Sequence, residues 1–366
     1  MALTERALPP VGHIVSRRLP GPDVVRAVAL IGVVVMNFHG YLNFDDRNGV
    51  GDGWAAALFD PATGPLTTRF AATFVLVAGV GVTLLTRSAI GDHARVGAMR
   101  WRLVRRGVLL YVAGLFLDII WPGTIILYYG AMFVVAAAIF TLRSRWVIVI
   151  GSTAALAGWA LRLWVFHQEE RRHDMRWLTA PGQSSIRRYV FYVAINGTHP
   201  LLPWLAFLCA GIVLGRCLAF DWWRPVAIGA GVTLFTIATI LGSSGTTPFQ
   251  LVLLSTDPFE RGGLYVCSAL GTALVAYACI DWVADRFPDA LDPLRRAGQM
   301  TLTLYVAHVL VFNFVVHWLG WIEPTGLDVA LTFALAFWVV AISAAAAWQR
   351  RFGIGPAERF YRAFGG

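Results

Sequence analysis

The sequence has no lysine, few acids and few cysteines, and each shortage narrows what the chain can be. Charged residues fill only 14% of its 366 positions while 57% are hydrophobic, and mean hydropathy is +0.64. Soluble domains carry nearer to about a quarter charged residues, so a soluble globular protein is excluded. With lysine absent, all thirty basic residues are arginine and the net charge is +9. Arginine-only usage is the habit of a GC-rich, bacterial genome. These arginines lie between apolar runs, where they set membrane topology, and no nucleic-acid partner is expected. Cys209, Cys217, Cys267 and Cys279 fall within or beside apolar runs and read as small buried hydrophobes, which leaves no disulfide framework. There is no H-E-x-x-H, no cysteine pair and no histidine spacing that suits a metal, so no metal site is expected. The first apolar run is long and lacks an A-x-A exit, so it is expected to stay in the membrane as the first helix. No internal repeat, low-complexity tract or soluble domain is evident.

What the chain does have is apolar runs of membrane-spanning length, about 20 residues each. They predict an all-α polytopic transmembrane bundle of ten helices, at 24–42, 66–86, 107–122, 124–142, 146–166, 200–216, 225–242, 262–281, 301–320 and 326–348. The turn at Pro122-Gly123 makes the third and fourth a tight hairpin. Residues 1–22 form an N-terminal segment, 23–348 the bundle and 349–366 a basic tail. Counting arginines with the N-terminus inside places 21 inside against 9 outside, so both termini are expected to be cytoplasmic, in a bacterial inner membrane. The outer loop 167–198 departs from that rule with Arg171, Arg172, Arg176, Arg187 and Arg188, partly offset by Glu169, Glu170 and Asp174.

Ionisable residues in a bilayer are costly, and each is a functional candidate. Arg26, Arg69, Asp118, Arg162 and His308 lie within or at the ends of spans, and His39, His199 and His317 fall near the outer ends of the first, sixth and ninth. Imidazole suits proton transfer near neutral pH, but an amphipathic ring also suits the interface. Asn37 and His39 are two apart, so on a continuing helix they point to opposite faces, and they share one site only if the helix ends near Phe38. Asn37 then suits an oxyanion donor or, equally, an interhelical hydrogen bond. At the inner mouth Asp23 and Arg26 share a helix face. Arg95, Arg100, Arg102, Arg105 and Arg106 crowd the next inner loop, where they suit either a polyphosphate or anionic lipid. Thr301, Tyr305 and His308 form a polar stripe that faces protein or a cavity.

The opening D-V-V-R-A-V-A-L-I-G-V-V-V-M-N-F (23–38) resembles the first helix of the YeiB-like membrane proteins, a pattern shared by the more distant heparan-α-glucosaminide N-acetyltransferases. F-V-L-V-A-G-V-G-V-T-L-L-T-R (74–87), N-G-T-H-P-L-L-P-W-L-A-F-L-C-A-G-I-V-L-G-R (196–216), A-G-Q-M-T-L-T-L-Y-V-A-H (297–308) and F-G-I-G-P-A-E-R-F-Y-R (352–362) follow in the family's order. The resemblance implies a transmembrane acyltransferase fold, with acyl-CoA entering from the cytoplasm and the acyl group passing to a sugar on the far side. Asn37 matches the family asparagine at the end of the first helix. At the position of the family's catalytic histidine, eleven residues on, this chain has Asn48, and the usual Arg-Gly is Arg26-Ala27.

On that resemblance acyl-CoA, most simply acetyl-CoA, is the expected donor, held by Arg26, Arg100, Arg102, Arg105, Arg106 and Tyr305. His39, His199 or His308 is the expected base, with Asn37 at the oxyanion. Arg69, Asp118, Arg187 and Arg188 are the expected contacts to an extracytoplasmic glycan or glycolipid acceptor. Membrane lipids are further partners, and a homodimer stays open. The rival reading is a non-enzymatic transporter or flippase of an anionic metabolite or lipid.

Overall fold

The computed structural model describes residues 19–45, 53–179, 186–323 and 326–366. Most of the expected N-terminal segment and Asn48 lie outside the described residues. In chain order the helices are α1 Pro20–Asp45, α2 Trp54–Phe59, α3 Arg69–Thr86, α4 His93–Ile120, α5 Ile125–Ile139, α6 Ser144–Glu170, α7 Arg176–Thr179, α8 Ile186–Phe191, α9 Leu201–Cys217, α10 Trp223–Gly242, α11 Pro248–Leu253, α12 Gly263–Arg286, α13 Asp292–Gly298, α14 Thr301–Phe312, α15 Leu327–Phe352 and α16 Pro356–Gly365. Wider π-type turns extend α8 over Tyr192–Asn196 and α14 over Asn313–Trp318. No strand occurs among the described residues. The molecule is an all-α, multi-pass membrane bundle.

Seven helices are long and apolar enough to cross a bilayer, and an eighth span arises if Arg187–Asn196 and Leu201–Cys217, bent by 53°, are taken together. The expected ten are corrected at the third and fourth. The run 107–122 is the latter part of α4, whose arginines begin with Arg95, more than three turns earlier, and α5 has only 15 residues. The two still form the expected hairpin. Gly123 turns it with φ +86°, and the Asp118 carboxylate accepts the Gly123 N–H at 2.8 Å.

Without a hydrophobic force between helices in lipid, close backbone approach holds them together, and small residues permit it. A Cβ on Gly79 of α3 would sit 2.2 Å from the Leu208 carbonyl of α9, and one on Gly211 would sit 1.9 Å from that of Leu76. The α4–α5 hairpin closes in the same way at Gly114 and Gly130. Among these crossings runs α1, whose Val25, Leu30, Val34 and Phe38 are wholly buried. Because successive helices reverse, the start of α1, the ends of α3, α9 and α12, and all of α13 and α16 gather at one end, rich in arginine. The end of α1, the α4–α5 turn and the start of α9 gather at the other, which carries His39, His199 and His317.

Candidate functional site

At the histidine end a cavity of about 440 Å³ opens between α1, α3, the α4–α5 turn and the start of α9. Its walls are mostly apolar, with Asn37, Asp60, Thr67, Thr68, Thr198 and His199 as polar exceptions. At the arginine end a cavity of about 290 Å³ is lined by Arg26, Arg106, Gln299, Thr301, Glu358, Tyr361 and Arg362 among apolar side chains. Tyr305 lines both. Its hydroxyl lies 3.0 Å from Thr124 Oγ1 and accepts the Ile125 N–H at 3.3 Å, which ties it to the start of α5. One phenol therefore stands between two cavities that open at opposite ends of the bundle.

Asn37 is the best-defined group at the histidine end. Its amide Nδ2 lies 3.1 Å from Nε2 of His308, 271 residues away. His308 is wholly buried, with its ring among Tyr305 at 4.7 Å, Trp121 at 5.4 Å and Phe38 at 6.1 Å. An amide donates through its two hydrogens, so His308 acts as acceptor here with a bare Nε2, which leaves the second amide N–H of Asn37 for the cavity. The polar stripe on α14 thus divides, since Thr301 and Tyr305 face cavity while His308 turns to Asn37.

His199 sits in the break between the π-turn Tyr192–Asn196 and α9. The Thr198 N–H donates to the Tyr128 hydroxyl at 3.0 Å, which pins the segment. The imidazole packs edge-on against Trp204 at 4.5 Å, and its Nδ1 is buried with no hydrogen-bond partner among the described residues. Such wider helical turns recur at functional sites because they re-aim side chains.

α1 does not end near Phe38, as a shared site for Asn37 and His39 requires, but runs on to Asp45. Successive side chains keep their helical offset, so Asn37 faces the cavity while His39 is buried behind it, its Nδ1 2.7 Å from the Phe59 carbonyl. That contact brings His39 beside Asp60 on the cavity rim. Burial alone would raise the Asp60 carboxyl, but the N–H groups of Thr63 and Ala62, the Thr63 hydroxyl and nearby His39 hold it below the usual range.

Other expected site residues are placed away from both cavities. Arg69 donates to the Ser268 hydroxyl at 2.9 Å and lies over the Tyr265 ring. Asp118 holds the hairpin turn and accepts from the Tyr192 hydroxyl at 3.4 Å. Arg187 is exposed on α8, and Arg188 is its neighbour. Of the inner-loop arginines only Arg106 reaches the cavity wall with Arg26. Arg100 donates to the Thr141 hydroxyl at 3.2 Å, Arg105 lies over the Phe364 ring, and Arg102 lies outside the cavity lining. Their separation has a plain cause: α4 is one continuous helix, so residues 100, 102, 105 and 106 point around its circumference and cannot all face one ligand. The same region holds groups that sequence patterns did not flag, namely Glu358, Tyr361 and Arg362 of α16. Arg261, near the other end, donates to the Ile195 carbonyl at 3.2 Å. Among the described residues no cluster of three or more His, Cys, Asp or Glu side chains is placed to hold a metal.

A family model described as heparan-alpha-glucosaminide N-acetyltransferase, catalytic, matches residues 18–246, more than half of the chain. The chain belongs to this family. A second model, for the YeiB-like proteins of unknown function DUF418, matches residues 214–365. The two matches overlap on α9 and α10 and together span the bundle, so the protein is a YeiB-like member of an acetyltransferase-related membrane family. The first match carries Asn37 and His199, and the second carries His308, Tyr305 and the tail. The Asn37–His308 pair joins the two matched regions. No curated protein matches the chain. The family points to a membrane acyltransferase-like function, and the cavities show where such chemistry has room.

Proposed function

We propose that the protein transfers an acyl group, most simply acetyl, from cytoplasmic acyl-CoA to a glycan or lipid-linked acceptor on the other side of a bacterial inner membrane. The observation that carries this reading is the pair of cavities that meet at Tyr305, one walled by arginines and the other by Asn37 and His199. Positive charge gathers on the cytoplasmic side of bacterial membrane proteins, which makes the arginine end the donor mouth. There Arg26 and Arg106 take the phosphates through charged, forked hydrogen bonds, and the pantetheine arm runs along the apolar walls toward Tyr305.

In the chemical step His199 accepts the proton of an acceptor hydroxyl or amine. The freed oxygen or nitrogen attacks the thioester carbonyl carbon, and the carbonyl electrons move onto oxygen. The free N–H of Asn37 donates to that oxyanion, with His308 fixing the amide plane. Collapse of the tetrahedral intermediate breaks the C–S bond, and the departing thiolate takes up the proton that His199 accepted, which restores the base.

The test is transfer or hydrolysis of labelled acetyl-CoA by the purified full chain and by His199→Gln. Turnover by the wild type that falls by about 10²–10⁴-fold in the variant is expected for loss of a general base. Equal turnover in both removes His199 from the mechanism. Movement of an anionic solute across proteoliposomes with no acyl-CoA cleavage would replace the enzyme by the transporter.

A further inference from the structure

The C-terminal helix is wired into the bundle more tightly than a basic tail requires. Gly353, at φ +76°, ends α15, and Pro356 opens α16. The Glu358 carboxylate then accepts the Leu302 N–H at 2.7 Å, the Thr303 N–H at 3.1 Å and the Thr303 hydroxyl at 2.5 Å. Thr303 Oγ1 in turn accepts the Ala357 N–H at 3.1 Å. Leu302 and Thr303 stand in the first turn of α14, whose N–H groups have no partner within their own helix and carry its positive dipole end. A glutamate from one helix therefore caps another. The approach is close: a Cβ on Gly355 would lie 2.2 Å from Glu358 Oε2 and 2.8 Å from Thr303 Oγ1. Farther along α16 the Arg106 guanidinium covers the Tyr361 ring at 4.9 Å.

Docked in this way, α16 places Tyr361 and Arg362 in the wall of the arginine-end cavity, beside Arg26 and Arg106. Among the described residues the acid on that wall is Glu358, whose oxygens are both committed to α14, and Asp23 pairs with Arg26, so three guanidiniums outweigh two carboxylates toward any ligand. Burial pushes the Tyr361 phenol up to about 12, so it stays a proton donor at neutral pH. The tail falls outside the acetyltransferase match, which ends at residue 246, so likeness to that family does not assign it a role.

We infer that α16 completes the donor site: Arg362 and Tyr361 bind the phosphate-rich end of CoA, and Glu358 is the positioning residue that docks them there. The inference rests on the reading of the arginine-end cavity as the donor mouth.

The experiment is calorimetric titration of the full chain, in detergent, with free CoA, which binds without turning over. Arg362→Gln should weaken binding about tenfold, as expected for one charge-assisted contact, and lower its salt dependence. Glu358→Ala should weaken it by a similar factor and expose the link 353–355 to limited proteolysis, while Glu358→Gln, which keeps an acceptor oxygen, recovers part of the loss. Arg359→Gln is the control, because that exposed side chain donates to the Phe352 carbonyl at 2.8 Å and lies outside the cavity. Wild-type binding left unchanged by Arg362→Gln removes α16 from the site. Weakening by Arg362→Gln but not by Glu358→Ala overturns the positioning role. A wild type that does not bind CoA at all overturns the donor reading itself, and the inference with it.

Discussion

The cavity at the histidine end offers mostly uncharged polar groups in apolar walls, with Asp60 as the charged exception, whereas the cavity at the arginine end offers three guanidiniums. Asn37 is fixed by His308, and His199 is fixed by the segment pinned to Tyr128. Among the described residues the Arg26 guanidinium is tied at Nη1, 3.2 Å from Asp23 Oδ1, and its other N–H groups remain for a ligand. Fixed dipoles act on charge that develops during a reaction, and full positive charges act on charge the ligand already carries. The two ends should therefore separate in kinetics: substitutions at the histidine end should lower kcat, and substitutions at the arginine end should raise Kd for the donor.

After His199→Gln, the largest effect should come from Asn37→Ala. Loss of one oxyanion donor lowers kcat by about 10²–10³-fold and leaves CoA affinity unchanged. An equal rise in Kd for CoA would break the comparison, because Asn37 would then serve binding. His308→Ala should come next, with a loss of about tenfold or more in kcat. Because His308 acts through Asn37, the double variant should be no worse than Asn37→Ala alone, and additive losses would show that His308 has a separate role. At the other end, Arg26→Gln should raise Kd for CoA about tenfold with kcat at saturation unchanged. A fall in saturated kcat would place Arg26 in the chemistry.

These residues differ in how far the sequence exposes them. Most spans are legible because apolar runs of bilayer length report directly on burial in lipid. Asn37 and Arg26 stand out because polar groups in such runs are costly. The hairpin shows in Pro122-Gly123. What local pattern cannot show is which faces meet. The Asn37–His308 contact joins α1 to α14 across 271 residues, and it depends on crossings set by backbone approach at positions such as Gly79 and Gly211. His39 looked equivalent to Asn37 because both are polar and near one helix end. Only the continuation of α1 to Asp45 turns them apart. Clustered arginines in 95–106 suggested one phosphate site, yet a continuous helix disperses them and admits Arg106 alone. Glu358 was hidden for the opposite reason, since an acid in a basic tail reads as surface charge until the exposed N–H groups of α14 appear opposite it.

The smallest effect is expected at Asp60, and it sharpens which group controls pH dependence. Asp60 lines the histidine-end cavity, but its carboxylate oxygen Oδ1 is occupied by the N–H groups of Ala62 and Thr63 at 2.7 and 2.9 Å. Its carboxyl lies below the usual range in the folded protein. A lowered native value means that its stabilising contribution is complete above the unfolded value, about pH 4, and is lost only as pH falls through the lower native one. Between about pH 5 and 8 Asp60 therefore stays ionised and contributes no titration. Asp60→Asn should change kcat/KM less than about threefold, the range of a solvent-screened charge, and leave the shape of the pH–rate profile intact. His199→Gln should instead lower the rate across the whole of that range, as loss of a general base requires. A rate that falls more in Asp60→Asn than in His199→Gln would move the base from the α9 segment to the Asp60–His39 corner of the same cavity. The burial of His39 behind Asn37 would then be the geometry of a relay.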